Sequence, residues 1–192
     1  MTDLKLQIGN TLGFTEKEFL KIQDLFHRKN VARGEYFLKE GEYVRQIGFV
    51  EKGILREFLL KNDKEVTKWI STSGHFAVDL SAFLFNQKSK VSYQALEDVE
   101  VITLSKSNYD RISEEVPRWA ALEKAFLTKC FATLEERVIT HLSMSAEERY
   151  VHFFAINPDL FNRVPLIYLA SMLGMTPETM SRIRKKRSES IS

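Results

Sequence analysis

The chain has 192 residues, 44% of them hydrophobic and 28% charged, with a formal net charge of +2, which is the profile of a soluble globular protein with room for one or two domains. No apolar run approaches the length needed to span a bilayer, and Met1 to Gly13 lacks the charged-then-apolar layout of a signal peptide, so the expected location is the cytoplasm with no membrane partner. The single cysteine, Cys130, excludes an internal disulfide and an all-thiolate metal site.

Residues 1 to 30 read as helical: Leu20, Ile22, Leu25 and Phe26 recur at helical spacing, and Thr15 with Glu18 forms a capping-box pattern. From Val31 the texture changes. Short segments rich in β-branched and aromatic residues (Tyr36 to Leu38, Ile47 to Val50, Leu55 to Leu60, Val66 to Ile70, Val91 to Ala95 and Val99 to Leu104) alternate with turns at Gly34, Gly41, Gly53, Asn62-Asp63 and Ser73-Gly74. Strands this short and evenly punctuated predict an antiparallel roll or barrel. All four prolines fall after residue 116, and that shift in composition marks a boundary near 105 to 117. No internal repeat or low-complexity segment is evident.

From Pro117 to Leu142 the sequence reads as one helix, and its apolar residues sweep about half of the circumference. Two readings stand: a helix buried in a monomer core, or one that covers its own β domain and also a second copy of the chain. The second places a homodimer interface along Trp119, Leu122, Phe126, Cys130 and Leu134. Ser145 with Glu148 makes another capping box ahead of a helix that stops at Asn157-Pro158.

Between Leu166 and Arg187 two short helices are separated by Gly174, the expected residue past a helix end, with Thr176 as cap and Pro177 in the first turn of the second helix. Met180 and Ile183 share an inward face with Ala170 and Leu173, which leaves Glu178, Thr179, Ser181, Arg182 and Lys185 outside. A helix-turn-helix with a polar, basic second helix suits a major groove, although any small helical hairpin can show such punctuation. Charge separates the two. Residues 163 to 192 hold six Lys or Arg against two Glu, a balance of +4, so the rest of the chain is at −2. A cluster of one sign is what phosphate binding requires.

A β roll, a long helix and a helical unit ending in the run Leu169 to Lys186 resemble the Crp/Fnr family of bacterial transcription regulators. Gly34-Glu35, Lys39-Glu40-Gly41, Val50-Glu51-Lys52-Gly53 and Ala95-Leu96-Glu97-Asp98 support the resemblance. It implies an α+β fold. An antiparallel β roll of the double-stranded β-helix or jelly-roll kind, cyclic-nucleotide-binding-like, occupies residues 1–116, a dimerisation helix residues 117–143, and a helix-turn-helix DNA-binding domain residues 144–192. The implied function is a homodimeric, sequence-specific regulator that binds an inverted repeat in double-stranded DNA and has RNA polymerase as a partner. By position, Glu178 and Arg182 match the family's base-contacting residues, with Thr176, Thr179 and Ser181 beside them, while Arg184, Lys185 and Lys186 supply phosphate attraction. Arg suits a guanine edge and Glu suits cytosine N4.

Two departures from the family pattern concern the ligand. Val78-Asp79, followed by Leu80, stands where nucleotide-binding members carry a Gly-Glu pair for the ribose, and Ser89-Lys90 stands where they carry an Arg-Ser pair for the cyclic phosphate. Lys90 can supply charge but not a bidentate fork, so cyclic AMP binding in the usual manner is not expected. Arg56 is an alternative source of that charge. No cofactor is implied and the effector is unidentified. Few residues follow the recognition helix, so a β wing is not expected. The alternative function is a stand-alone ligand-binding module acting through a partner protein.

Other constellations are weaker. His75 reads either as a loop histidine or as a haem or metal ligand, and Cys130 as a buried inert thiol or an oxidant sensor. Asp79 with Lys90 reads as a ligand site or a surface ion pair. No nucleophile elbow, HExxH, phosphate-binding loop or paired carboxylates are found, and the chain is not read as an enzyme.

Overall fold

The computed structural model describes residues 8–9 and 11–191, so the helical reading of residues 1–7 lies outside the described residues. Helix α1 (Glu16–Ile22) starts from the expected capping box: the Thr15 hydroxyl accepts from the Glu18 amide at 3.3 Å, and the Glu18 carboxylate accepts from the Thr15 amide at 2.8 Å. Glu18 is also gripped from afar. Arg118 donates to both of its oxygens at 2.6 Å and to the Gly13 carbonyl at 3.0 Å. The Arg118 bonds first, and the Thr15 amide next, hold the Glu18 carboxyl down at about 2.

The helix ends earlier than residue 30. After a 3-10 turn at Gln23–Leu25 the chain enters β1 (Phe26–Val31), which pairs antiparallel with β8 (Val99–Ser105) from Phe26↔Leu104 to Val31↔Val99. Only the two ends of β1 are buried and the four residues between are exposed, because it is the outer strand of its sheet. A charged edge strand shows no alternation to read, and its partner lies far along the chain.

The six strands expected from the sequence are present with ends moved by a residue or two: β2 (Tyr36–Leu38), β3 (Gln46–Lys52), β4 (Leu55–Lys61), β5 (Lys64–Ser71), β7 (Ser92–Ala95) and β8. A two-residue β6 (Phe76–Ala77) and a short helix α2 (Leu80–Leu84) are additional. They form two antiparallel four-stranded sheets, ordered β1-β8-β3-β6 and β2-β7-β4-β5. Asn62 and Asp63 both take positive φ, 51° and 59°, which closes the β4–β5 hairpin with the two-residue turn that matches strand twist. Where the sheets face each other, Gly48 leaves room for the Phe37 ring: a Cβ there would lie 2.7 Å from Phe37 Cζ and 2.8 Å from Val101 Cγ1.

The helices that follow are α3 (Lys106–Glu115), α4 (Trp119–Ser143), α5 (Ala146–Ile156), α6 (Leu160–Arg163), α7 (Leu166–Met172) and α8 (Pro177–Ile191). The second capping box, Ser145 with Glu148, opens α5 as expected. Buried apolar residues form two clusters. One fills the roll and continues through Tyr109, Ile112, Trp119, Leu122 and Phe126, so the first two turns of α4 belong to it. The other joins Tyr150, Phe161, Leu169, Leu173, Met180 and Ile183 with Ile54, just before β4, and Ile70 of β5. No helix among the described residues is long and apolar enough to cross a membrane.

Two glycines with positive φ separate strain from steric exclusion. At Gly53, φ +93°, a Cβ would meet the Asp98 carbonyl oxygen at 2.5 Å, whereas at Gly74, φ +86°, nothing lies within 4 Å. Gly74→Ala should therefore lose only the conformational preference, about 1 kcal/mol, and Gly53→Ala roughly 3 kcal/mol or more, because backbone must also move. Urea unfolding of the two variants checks this; equal losses would contradict it.

Candidate functional site

The C-terminal helix pair is built by local chemistry. Helix α7 ends in a Schellman arrangement: Met175 N donates to Ala170 O at 3.0 Å, Gly174 N donates to Ser171 O at 3.1 Å, and Gly174 sits at φ +64°. The Thr176 hydroxyl then accepts from the Thr179 amide at 3.2 Å and starts α8. Met180 and Ile183 are buried against Leu169, Ala170 and Leu173, which turns Glu178, Ser181, Arg182 and Lys185 to one exposed face and leaves Thr179 half-buried. These positions follow i, i+3, i+4, i+7 spacing. The Glu178 carboxyl is held below its ordinary range by its own backbone N–H and by the Thr176 hydroxyl. Thr176 and Arg184 are exposed, and Lys186, also exposed, reaches Glu147 of α5 at 3.1 Å.

Helix α7 is fastened to the rest of the chain by residues the sequence reading did not single out for this role. Along one side, Ser171 Oγ accepts from the Thr67 amide of β5 at 2.9 Å, and the Arg56 guanidinium lies 3.7 Å from the centre of the Tyr168 ring. Arg56 is 1% exposed; its Nε donates to Thr67 Oγ1 at 2.9 Å and its Nη1 to Glu65 at 2.5 Å. It is therefore committed to the second sheet and α7, which corrects the expectation that it could reach a phosphate site beside Asp79. At the other end, Arg149 donates to the carbonyls of Leu173 at 2.8 Å and Gly174 at 3.3 Å, and Arg137 donates to that of Met172 at 3.3 Å. Cations at a helix C-terminus complement its exposed carbonyls. These groups come from four separate elements, so no spacing in the sequence could have revealed them.

The residues expected to line a ligand pocket do converge, around the Asp79 carboxylate. Its Oδ1 accepts from the Ala82 amide at 3.2 Å, capping α2, and from Ser81 Oγ at 3.1 Å; its Oδ2 accepts from the Lys90 amide at 3.0 Å and lies 3.3 Å from Ser89 Oγ. Partial burial raises the carboxyl pKa, but the Lys90 and Ala82 amides and the Ser81 hydroxyl outweigh it, and the net shift is downward. Lys90 thus meets Asp79 through its backbone N–H, which differs from the ion pair that is one of the two readings of these residues. Beside them Val78 O accepts from the buried Tyr93 hydroxyl at 3.1 Å, and Leu80 is half-buried. The arrangement holds an ionised carboxylate within a ring of donors.

Along α4 the residues expected at a dimer seam divide. Trp119 stacks on Phe14 at 5.4 Å, Phe126 meets Phe76 at 4.5 Å, and Leu122 is 8% exposed. These three lie in the chain's own core, a correction to their place in an interface. Cys130 is half-buried, and burial pushes its thiol pKa up, away from a reactive thiolate. Leu134 is exposed together with Phe131, Val138 and Leu142, and this spacing of three and four makes a single stripe on the far side of the helix. His75 is not at the Asp79 site; its Nδ1 accepts from the Thr72 amide at 3.0 Å, and burial lowers its pKa. No group of three or more His, Cys, Asp or Glu among the described residues could hold a metal ion.

The profile of the cyclic nucleotide-binding domain matches residues 28–115. No curated protein matches the chain by sequence. Among solved structures, the catabolite activator protein of Thermus thermophilus aligns at 21% identity and TM-score 0.58, over 94% of this chain and 87% of that one. FixK2 from Bradyrhizobium japonicum aligns at 15% identity and TM-score 0.72, over 86% and 85%. The c-di-GMP-responsive global regulator CLP of Xanthomonas campestris aligns at 15% identity and TM-score 0.71, over 92% and 93%. Residues 28–115 thus match a cyclic nucleotide-binding domain, and the chain as a whole has the fold of the Crp/Fnr regulators that its sequence resembles.

Proposed function

We propose that this protein is a homodimeric, sequence-specific DNA-binding transcription regulator of the Crp/Fnr type, acting in the cytoplasm, whose roll does not take cyclic AMP in the usual way. The observation that carries the reading is the exposed face of α8, where Glu178, Ser181, Arg182 and Lys185 stand out from a helix packed on its partner by Met180 and Ile183. A polar and basic face on a rigid helix can enter a major groove and present Arg182 to a guanine edge and Glu178 to cytosine N4. The +4 balance of residues 163–192 supplies phosphate attraction.

Two further observations support the finer parts. The stripe Phe131, Leu134, Val138 and Leu142 is apolar and exposed in the single chain, and a parallel pairing of two such stripes buries it as a short coiled coil. Two-fold pairing would place the recognition helices on half-sites about 34 Å apart. In the roll, the Asp79 carboxylate takes up the donors of the α2 terminus and the 89–90 turn. A cyclic phosphate brought there would face an anion already bound, with no Arg fork to compensate it.

Gel shifts and footprints on genomic fragments test DNA binding, and binding that never exceeds the non-specific level at physiological salt would refute it. Arg182→Ala should cost about 1 to 3 kcal/mol on the preferred site and relax its sequence preference, whereas Arg184→Ala should weaken all sequences alike and flatten the salt slope. Equal loss on preferred and random DNA for Arg182→Ala would remove the base-reading assignment. By analytical ultracentrifugation the parent chain should sediment as a dimer and Leu134→Glu as a folded monomer, since Leu134 lies outside the chain's own core. A monomeric parent at micromolar concentration would end the dimer reading. Cyclic AMP at about 1 mM should leave the melting temperature unmoved, because a ligand at a hundred times its Kd stabilises by about 2.7 kcal/mol and could not pass unnoticed. A saturable rise would show that the roll accepts the nucleotide.

A further inference from the structure

A cleft of about 540 Å³ lies where the second sheet, α4, α5 and the end of α7 meet, away from both the roll interior and the exposed face of α8. Its volume falls within the range of small-molecule sites. Ile70, Phe153, Leu160, Met172 and Leu173 give it an apolar floor, with the Trp69 ring on one wall. By helical spacing the cleft residues Thr133, Glu136 and Thr140 of α4 lie opposite Phe131, Leu134 and Val138, whereas Arg137 and His141 border that stripe.

The charged groups of the cleft are unequally engaged. Arg149 is spent on backbone: Nε on Leu173 O at 2.8 Å, Nη1 on Met144 O at 2.6 Å and Nη2 on Gly174 O at 3.3 Å. His141 has its two ring nitrogens 2.9 Å from Arg137 O and 3.3 Å from Met172 O. Arg137 differs. It is half-buried, lies 5.1 Å from the centre of the Trp69 ring, and among the described residues makes one hydrogen bond, from Nη2 to Met172 O at 3.3 Å. Glu57, the acid whose field it feels, is already paired with Lys68 at 2.5 Å. Nε and Nη1 of Arg137 therefore present unpaired N–H donors on a partly desolvated cation, an arrangement suited to a carboxylate fork. Glu136 is exposed at the same cleft and disfavours a second negative charge there.

We propose that this cleft binds a small monocarboxylate with an aromatic or alkyl body, its carboxylate on Arg137 and its body on Trp69 and the apolar floor. The binding itself does not depend on the DNA reading. Its use as an effector site rests on that reading, because the cleft walls include Arg137 and Arg149, which hold the end of α7.

The test uses the full chain and four probes, phenylacetate and octanoate with their neutral isosteres phenylacetamide and octanamide, followed by calorimetry and by tryptophan fluorescence, to which Trp69 contributes. Each acid should bind saturably and at least about tenfold tighter than its amide, a difference of about 1.4 kcal/mol. Arg137→Gln should abolish that preference and Arg137→Lys should keep part of it. Ala132→Phe, which narrows the cleft from α4 without touching Arg137, should weaken acid and amide together. The proposal is overturned if neither acid binds at about 10 mM, where even a millimolar site would be mostly filled. Equal binding of acid and amide, a preference that survives Arg137→Gln, or binding unchanged by Ala132→Phe would each overturn it as well. If Arg137→Gln does not fold, the Ala132→Phe result and the acid–amide comparison decide. No DNA enters the assay, so its failure leaves the gel-shift result standing, and the reverse also holds.

Discussion

The position of the C-terminal helix pair depends on one buried cation. Arg56 is 1% exposed and lies between the Phe58 ring at 4.4 Å and the Tyr168 ring at 3.7 Å, with Glu65 and Thr67 accepting its protons. A charge removed from water is tolerated only where partners replace the lost hydration, and here one of those partners, Tyr168, belongs to α7. The helix cannot drift from the sheet without stripping a face of the guanidinium. Next to it the Thr67 amide of β5 bonds Ser171 Oγ at 2.9 Å, so the outer strand of the second sheet is covered at this point by a helix, which also blunts an exposed edge. Such a bond contributes little net stability but sets direction, because the alternative is an unpaired amide.

The long helix carries two opposed duties. Its first turns, through Trp119, Leu122 and Phe126, complete the core of the roll, and its later turns bring Arg137 and His141 to the end of α7 and leave the stripe Phe131, Leu134, Val138 exposed beside them. In this layout α4 touches the roll at one end and α7 at the other. Arg118 on Glu18 adds a tie at the N-terminal end of the same helix.

In the Asp79 region the chain's own carboxylate accepts from two backbone amides and the Ser81 hydroxyl, so the α2 terminus and the 89–90 turn are satisfied without any ligand. The same logic explains why Val78, Asp79, Ser89 and Lys90 are neighbours: they answer one another's hydrogen-bonding needs.

By itself the sequence determined the local grammar of this protein. Two capping boxes, the six internal strands, the Gly174 turn and the Thr176 cap rest on contacts within four residues or on alternation along a strand, and each was legible. The exposed face of α8 was legible for the same reason, since the positions of Met180 and Ile183 determine where Arg182 must point. Only the tertiary structure could decide the rest. β1 is a strand because β8 pairs with it, not because of any pattern in residues 26–31. Trp119, Leu122 and Phe126 lie inward because Phe14, Tyr109 and Phe76 meet them there, and an amphipathic pattern does not say which of two faces meets its own chain. Arg56 reads in the sequence only as an alternative charge for the ligand site and nothing marks Arg137 or Arg149, because their packing against rings and helix-end carbonyls exists only once the two sheets, the long helix and the C-terminal unit are brought together.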